Sequence, residues 1–135
     1  MFQTLLMFLM TVEGFTHVAY QDNTQRTWGY GTRATSEICI TRRAAAEELE
    51  SVAYKHYSHV VKDERLNHNQ VVALASFRYN VGKGAYAKSD LAKFVKQGKY
   101  KLAAAEFDKW VYSNGKKLNG LVERRKLEKQ MFIGE

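Results

Sequence analysis

Three side chains near the start of the sequence have the types and spacing that acid–base chemistry on a sugar requires. Glu13 and Asp22 are carboxylates nine residues apart, and Thr27 follows in the segment 27–31, TWGYG. In glycoside hydrolysis, one carboxylic acid protonates the leaving oxygen while a second carboxylate activates a water or attacks the sugar. A hydroxyl beside the second group can hold that water in line. The trio is therefore a candidate catalytic site.

Each of these residues alone has a simpler explanation. Aspartates in turns are usually structural, a lone threonine suits a strand, and Tyr30 is either a core aromatic or a ring that stacks on sugar. Glu13 is harder to explain by stability, because the C-terminal end of a helix disfavours negative charge. Partial burial beside Val12 and Phe15 would favour the protonated acid. The combination, more than any single residue, indicates a site.

The composition is that of a globular protein with a basic second half. The chain has 135 residues, of which 45% are hydrophobic and 26% charged, so we expect a single domain spanning residues 1–135. Cys39 is the only cysteine, which excludes an intrachain disulfide. Residues 61–135 carry 16 Lys and Arg against 8 Asp and Glu. This charge indicates either a polyanionic partner, such as nucleic acid, an anionic membrane or a bacterial wall, or a solvated lysine surface.

The first twelve residues are strongly apolar and resemble the core of a signal peptide. They lack a basic segment and a small-residue cleavage site, and twelve residues are too few for a helix that spans a bilayer. We therefore predict an N-terminal helix packed on the core, while a longer version with an upstream segment stays open. The residues expected on its buried side are Phe2, Leu5, Leu6, Leu9 and Val12.

Local signals predict a small β element and about six helices. A hairpin or meander is expected over residues 16–34. Thr41 is a candidate N-cap for the next helix, and Asn67 with Gln70 forms a capping box for a helix that ends near Gly82. The fold class is thus α+β and mostly helical, with a small lobe that carries the acids, a helical lobe that carries the positive charge, and a substrate cleft between them. The remaining helices are expected from Ser89 to Gly98, from Tyr100 to about Tyr112, and from about Leu121 to Phe132.

Four blocks of the sequence, in order, resemble one known family, the phage lysozymes of glycoside hydrolase family 24. The segments 13–15 (EGF), 19–22 (AYQD) and 27–31 (TWGYG) closely resemble the opening of these proteins. The resemblance implies a lysozyme-like fold. The later blocks are residues 66–82, which resemble the family's long central helix, residues 89–91, which resemble a short helix start, and Trp110 with residues 120–128, which resemble its C-terminal signature.

The resemblance also implies roles for residues of the first block. Glu13 would be the general acid that protonates the glycosidic oxygen. Asp22 would orient or activate the water, or stabilise the charged transition state, and Thr27 would help to hold the water. Four residues separate Asp22 from Thr27, fewer than in some relatives, which indicates a tight hairpin tip. Thr32 stands where a histidine often follows in the family, so any contact made by that histidine is absent or replaced.

Substrate-binding roles are implied for Tyr30, Asn80, Arg124 and Arg125. Asn80, near the end of the central helix, would line the cleft and bond sugar or peptide groups, and one of the two arginines would approach the acid from the last helix. No cofactor is implied. His56 and His59 are three residues apart on a predicted helix, a spacing that can hold a metal. No third ligand is evident nearby, so we predict no metal site.

The activity implied by the resemblance is that of a muramidase, which cleaves the β-1,4 bond between N-acetylmuramic acid and N-acetylglucosamine with inversion. Its partner would be bacterial peptidoglycan, and it would act as a monomer that binds no nucleic acid. Such enzymes usually serve as endolysins in host cell lysis. Made in the host cytoplasm without a usable signal segment, the protein would depend on a holin to reach the periplasm and cell wall.

Three alternatives stay open. A virion-associated lysozyme would degrade the wall at entry. A lytic transglycosylase would use Glu13 without a water and form a 1,6-anhydro product. A basic polyanion-binding module would explain the charge of residues 61–135 but not the acidic trio, and the sequence has no recognisable nucleic-acid-binding signature.

Overall fold

The computed structural model of the chain describes residues 2–13, the strand backbone at 16–22, 25–29 and 32–33, and residues 42–134. It divides into two compact units, unit 1 from Met1 to Lys55 and unit 2 from His56 to Glu135. The division falls within one helix. In the part of the chain that the structure describes, no helix is both long and apolar enough to cross a membrane.

Unit 1 begins with the predicted apolar helix. Helix α1 spans Phe2–Glu13, as expected from the sequence, and buries Leu5, Leu6 and Leu9. The spacing of these leucines places them along one side of a helix with 3.6 residues per turn. The ring of Phe2 packs edge-on against Tyr54, with centroids 5.5 Å apart. The buried side of α1 therefore fixes the position of its last residue.

Three short strands confirm the predicted hairpin or meander. They are β1 (Thr16–Asp22), β2 (Gln25–Gly29) and β3 (Thr32–Arg33), paired antiparallel in chain order. The register shifts between Thr16 and Tyr20, where β1 contains more residues than β2 over the same stretch of the ladder. Such an irregularity bends the strand and increases its twist.

Helix α2 spans Arg42–Val60 and passes from unit 1 into unit 2. Ala45, Leu49 and Ala53 are fully buried, and Val60 is nearly so. The first three lie four residues apart, so they form one apolar stripe along the helix. The N-cap predicted at Thr41 lies outside the described residues.

The centre of unit 2 is helix α3, His68–Val81, in which every residue from Gln70 to Arg78 is buried. Its start is the predicted capping box. Asn67 accepts a hydrogen bond from the Gln70 backbone N–H, and the Gln70 side chain accepts one from the Asn67 backbone N–H, both at 2.9 Å. Gly82, with φ of 93°, ends the helix in a conformation that side chains disfavour.

Short helices follow α3. Ser89 caps α5 as predicted, because its hydroxyl accepts a hydrogen bond from the Ala92 N–H at 3.1 Å. Helix α4 was not expected as a separate element, and it forms because Gly82 interrupts the central helix. The elements are α4 (Lys83–Lys88), α5 (Asp90–Lys96), α6 (Tyr100–Glu106), a 3-10 turn (Phe107–Lys109) and the last helix, α7 (Asn119–Ile133).

The expectation of one helix from Tyr100 to Tyr112 was wrong. Helix α6 ends at Glu106, and residues 112–117 form a two-stranded hairpin of β4 (Tyr112–Ser113) and β5 (Lys116–Lys117). Asn114 and Gly115 at its tip have φ of 51° and 78°. Two-residue hairpin turns with positive φ at both positions favour Asn-Gly, so the turn chemistry of this dipeptide overrides the helical spacing before it.

Candidate active site

Glu13 occupies the last position of α1 and is partly buried. Strand β1 begins three residues later, at Thr16. The buried leucines of α1 hold the helix end in place, so the carboxyl group of Glu13 is attached to a packed element. A general acid needs a fixed position relative to its substrate, and the end of a packed helix provides one.

Asp22 and Thr27 come together through the register of the hairpin. Asp22, the last residue of β1, pairs with Gln25, and Tyr20 pairs with Thr27. Asp22 and Thr27 therefore lie two positions apart in the register of this ladder. Their catalytic roles stay predictions. Tyr30, the predicted aromatic contact, lies outside the described residues.

Asn80 lies near the end of α3 and is exposed. Its side-chain oxygen accepts a hydrogen bond from the guanidinium of Arg125 on α7. One predicted substrate-binding residue is therefore held in position by another. The bond links the last turn of the central helix to the middle of the C-terminal helix.

Arg124 and Arg125 belong to a buried cluster, which we define as Ser76, Arg124, Arg125 and Glu128. Glu128 is fully buried. Its carboxylate accepts hydrogen bonds from Ser76 Oγ at 2.6 Å, Arg124 Nε at 3.3 Å and Arg125 Nη1 at 2.5 Å. Arg124 also donates to the Ser76 carbonyl at 3.1 Å. The cluster ties α7 to α3 through charge-assisted bonds.

Arg125 makes two further contacts inside unit 2. Its Nε donates to the Trp110 carbonyl at 2.8 Å, and its guanidinium lies 5.0 Å from the centre of the Phe77 ring. Only 1% of the residue is exposed. This arrangement gives both arginines a structural role within unit 2, and their predicted role at the substrate stays a prediction.

Part of this cluster could have been predicted from the spacing of Glu128 and the two arginines in the sequence. Glu128 lies four residues after Arg124 and three after Arg125, and both separations place side chains on one face of a helix. Ser76 could not have been found this way, since it lies 52 residues from Glu128 in the chain.

Arg78 is a buried arginine that sequence analysis did not single out. It lies on α3 with 9% of its surface exposed. Its Nη1 donates to His56 Nδ1 at 2.9 Å, while its Nε has no hydrogen-bond partner among the described residues. Burial lowers the pKa of this guanidinium. No carboxylate among the residues that the structure describes pairs with Arg78, and a buried cation without such a partner is costly.

The two histidines with metal-compatible spacing have other surroundings. His56 accepts the hydrogen bond from Arg78 and packs edge-on against Tyr79. Burial, followed by the positive charges of Arg78, Lys62 and Lys96, lowers the pKa of His59. Within residues 2–13 and 42–134, no three His, Cys, Asp or Glu side chains are grouped so that they could hold a metal ion.

Comparison with known proteins identifies the class to which this fold and these residues belong. The family model described as "Phage lysozyme" matches residues 10–128, which include Glu13, Asp22 and Thr27. The chain therefore belongs to the phage lysozyme family, which confirms the resemblance found in the sequence.

Individual relatives agree with this membership. The chain is 38% identical over 105 residues to an endolysin of Bacillus phage PZA, a match that covers 76% of this chain and 41% of that protein. It is 32% identical to an endolysin of Acyrthosiphon pisum secondary endosymbiont phage 1, over 94% of this chain and 93% of that protein. The chain thus spans less than half the length of the first relative and nearly all of the second.

A solved structure confirms the predicted lysozyme-like, mostly helical fold. The muramidase domain of SpmX from Asticaccaulis excentricus matches 97% of this chain and 95% of that domain, with a TM-score of 0.86 and 28% sequence identity.

Proposed function

We propose that the chain is an endolysin-type muramidase that hydrolyses the β-1,4 bond between N-acetylmuramic acid and N-acetylglucosamine in bacterial peptidoglycan. The observation that carries the proposal is the family match over residues 10–128, because it includes all three predicted catalytic residues. The similarity to endolysins and to a muramidase domain supports the same substrate.

In this mechanism, Glu13 is the general acid. It protonates the glycosidic oxygen as the bond to the sugar breaks, a step that a positioned carboxylic acid accelerates by about 10²–10⁴-fold. Its place at the end of a packed helix, partly buried, supports the role. Asp22 then activates a water on the opposite face of the sugar ring, and Thr27 holds that water. The ladder register, which places Asp22 and Thr27 two positions apart, supports these two roles.

We infer that the reaction inverts the configuration at the anomeric carbon. Inverting enzymes keep their two carboxyl groups about 6.5–9.5 Å apart to admit a water, whereas retaining enzymes bring them to about 5 Å. The proposed role of Asp22, orienting water with the help of the Thr27 hydroxyl, is that of the second carboxylate in an inverting enzyme. No metal or cofactor is required by this chemistry.

Asn80 and Tyr30 contact the polymer in this proposal. The exposed position of Asn80 and its hydrogen bond from Arg125 support a preorganised contact. Because both arginines are buried, they support the site through Asn80 and through the position of α7. The positive charge of residues 61–135 favours approach to the anionic wall and makes the activity sensitive to salt.

In its biological setting, residues 1–135 act as one lysozyme domain and as a monomer. The endolysin relatives support a role in host cell lysis. The protein is made in the host cytoplasm and acts on the wall in the periplasm, after a holin opens the membrane.

The test compares wild type, Glu13→Gln and Glu50→Gln on purified peptidoglycan. Glu50 is an exposed glutamate of α2, so its substitution controls for the loss of one charge in unit 1. We expect wild type and Glu50→Gln to release soluble muropeptides at similar rates and Glu13→Gln to release almost none while remaining folded. Equal release by Glu13→Gln would remove Glu13 from the site. No release by folded wild type would leave the basic polyanion-binding module as the better explanation.

A further inference from the structure

A pocket of about 330 Å³ lies in unit 2, between the end of α2, the segment 61–67, α4 and α5. Its volume is at the lower end of the range for small-molecule sites, about 300–1,000 Å³. Its walls are mainly apolar, as in most such sites. They include Val60, Leu66, Ala92, Val95 and the ring of Tyr86.

The rim of this pocket is positively charged. Lys62 and Lys96 are exposed and line it, with the ring of His59 beside them. Asp63, the carboxylate in the lining, is already bound by Arg65 through two bonds, at 2.7 and 2.9 Å. Lys62 and Lys96 have no ion-pair partner within the part of the chain that the structure describes. The rim therefore offers positive charge that no carboxylate of the lining neutralises.

Arg78 adds a buried charge close to the same place. It bonds His56, which lies one turn of α2 before the pocket residue His59, and its charge helps to lower the pKa of His59. Its Nε has no hydrogen-bond partner among the described residues. Burial raises the pKa of Tyr86 to about 12, so its hydroxyl stays a neutral group in the pocket wall at ordinary pH. Together these groups create a field that favours an anion.

The walls are held in place without a ligand. Arg65 donates to the carbonyls of Lys96 and Val95, at 3.1 and 3.4 Å, and so joins the segment 61–67 to the end of α5. At the other end of α5, Ser89 caps the helix. A ligand would therefore meet a largely preformed pocket, which reduces the entropic cost of binding.

We propose that this pocket binds a single-chain anionic amphiphile, with its alkyl chain against the apolar walls and its carboxylate or phosphate beside Lys62 and Lys96. The apolar walls and the unneutralised cations each fit one half of such a molecule. A free anion would leave the walls unused, and an uncharged chain would leave the cations unpaired. This site lies beyond the proposed muramidase activity and does not depend on it.

The experiment is an NMR titration of the full chain with octanoate and with octyl phosphate, following backbone amides of α5 and the ring of His59. Both probes should saturate and shift the same resonances. Substitution of both rim lysines (Lys62→Gln with Lys96→Gln) should weaken binding about tenfold. The control, Lys101→Gln with Lys126→Gln, removes the same charge from exposed positions outside the pocket and should change affinity by less than about twofold.

Three results would overturn the proposal. Unchanged affinity in the rim variant would show that the lysines do not hold the anion. Equal binding of octylammonium would show that charge is not recognised. Equal affinity for inorganic phosphate and octyl phosphate would show that the apolar walls contribute nothing. Because the lysines are exposed and the readout is binding, failure here leaves the proposed activity untouched.

Discussion

Two regions of the chain contain a glutamate near other polar residues, and the two glutamates differ in what surrounds them. In the hairpin region, defined as the end of α1 with β1 and β2, Glu13 is partly buried at a helix end. In the buried cluster, Glu128 is fully buried, and its two oxygens accept hydrogen bonds from three side chains. The carboxylate of Glu128 therefore holds α3 and α7 together.

The proposed mechanism gives the two glutamates different roles, Glu13 in catalysis and Glu128 in stability. A carboxyl group that gives a proton to a substrate needs access from outside, whereas a carboxylate that neutralises two buried arginines needs to be enclosed. The account therefore expects substitutions in the hairpin region to reduce activity and substitutions in the buried cluster to reduce stability.

The largest expected effect is on activity, in Asp22→Asn. The amide has nearly the same size but cannot act as a base, so we expect the rate of peptidoglycan cleavage to fall by about 10²–10⁴-fold. Stability should change by no more than about 0.5 kcal/mol, because the substitution preserves the size of the side chain. Gln25→Ala, at the position paired with Asp22 in the ladder, is the matched control. A large loss of thermal stability in Asp22→Asn with normal activity would make this aspartate a structural turn residue.

The second prediction concerns Glu128→Gln, which removes the carboxylate that Arg124 and Arg125 share inside unit 2. Breaking a buried ion cluster in this way costs about 3–5 kcal/mol of unfolding free energy. Urea denaturation measures this loss, and Glu123→Gln, exposed on the same helix, should remain within about 0.5 kcal/mol of wild type. An unchanged urea midpoint in Glu128→Gln would show that the buried cluster does not stabilise the fold. It would thus contradict the distinction drawn between the two regions.

The third prediction compares two buried arginines. Arg125→Met removes a hydrogen-bond donor from Glu128 and from Asn80, so we expect a loss of about 1.5–3 kcal/mol. Arg78→Met removes a buried cation that has no carboxylate partner among the described residues. Replacing such a charge by an apolar side chain should be neutral or stabilising by about 1 kcal/mol. Urea denaturation measures the loss of unfolding free energy in both variants. Equal losses would show that a carboxylate partner does not determine how much each arginine contributes to stability.

The smallest effect concerns pH. The pKa of His59 in the folded chain lies below its unfolded value of 6.5, chiefly through burial and then through Arg78, Lys62 and Lys96. The unfolded chain therefore binds more protons in this window, so stability decreases as the pH falls through 6.5 towards the lower folded value. Thermal melts at about pH 7 and pH 5 should show a smaller decrease in His59→Gln than in wild type. A larger decrease in thermal stability for His59→Gln than for wild type would contradict this prediction.

Features that depend on neighbouring residues could be predicted from the sequence. The capping box of Asn67 and Gln70, the Ser89 cap and the bounds of α1 all follow from side chains within a few positions. The hairpin at 112–117 also has a local signal, Asn114-Gly115, which overrides the helical spacing before it.

Features that depend on distant residues could not be predicted. The partners of Glu128 include Ser76, and Arg78 meets His56 of α2 only once the helices are packed together. The sequence identified Arg124 and Arg125 as site residues through a family signature, and the structure shows that both are buried. A family signature records residue types, so the burial of these two arginines could not be predicted from it.

The most direct test of the central claim is to digest purified peptidoglycan in water enriched in heavy oxygen and to analyse the products by mass spectrometry. If Glu13 protonates the leaving oxygen and Asp22 activates water, wild type will place one heavy oxygen at each new reducing muramic end, and Glu13→Gln will yield almost no product. Unlabelled 1,6-anhydro ends would contradict the account, because they would show cleavage without attack by water.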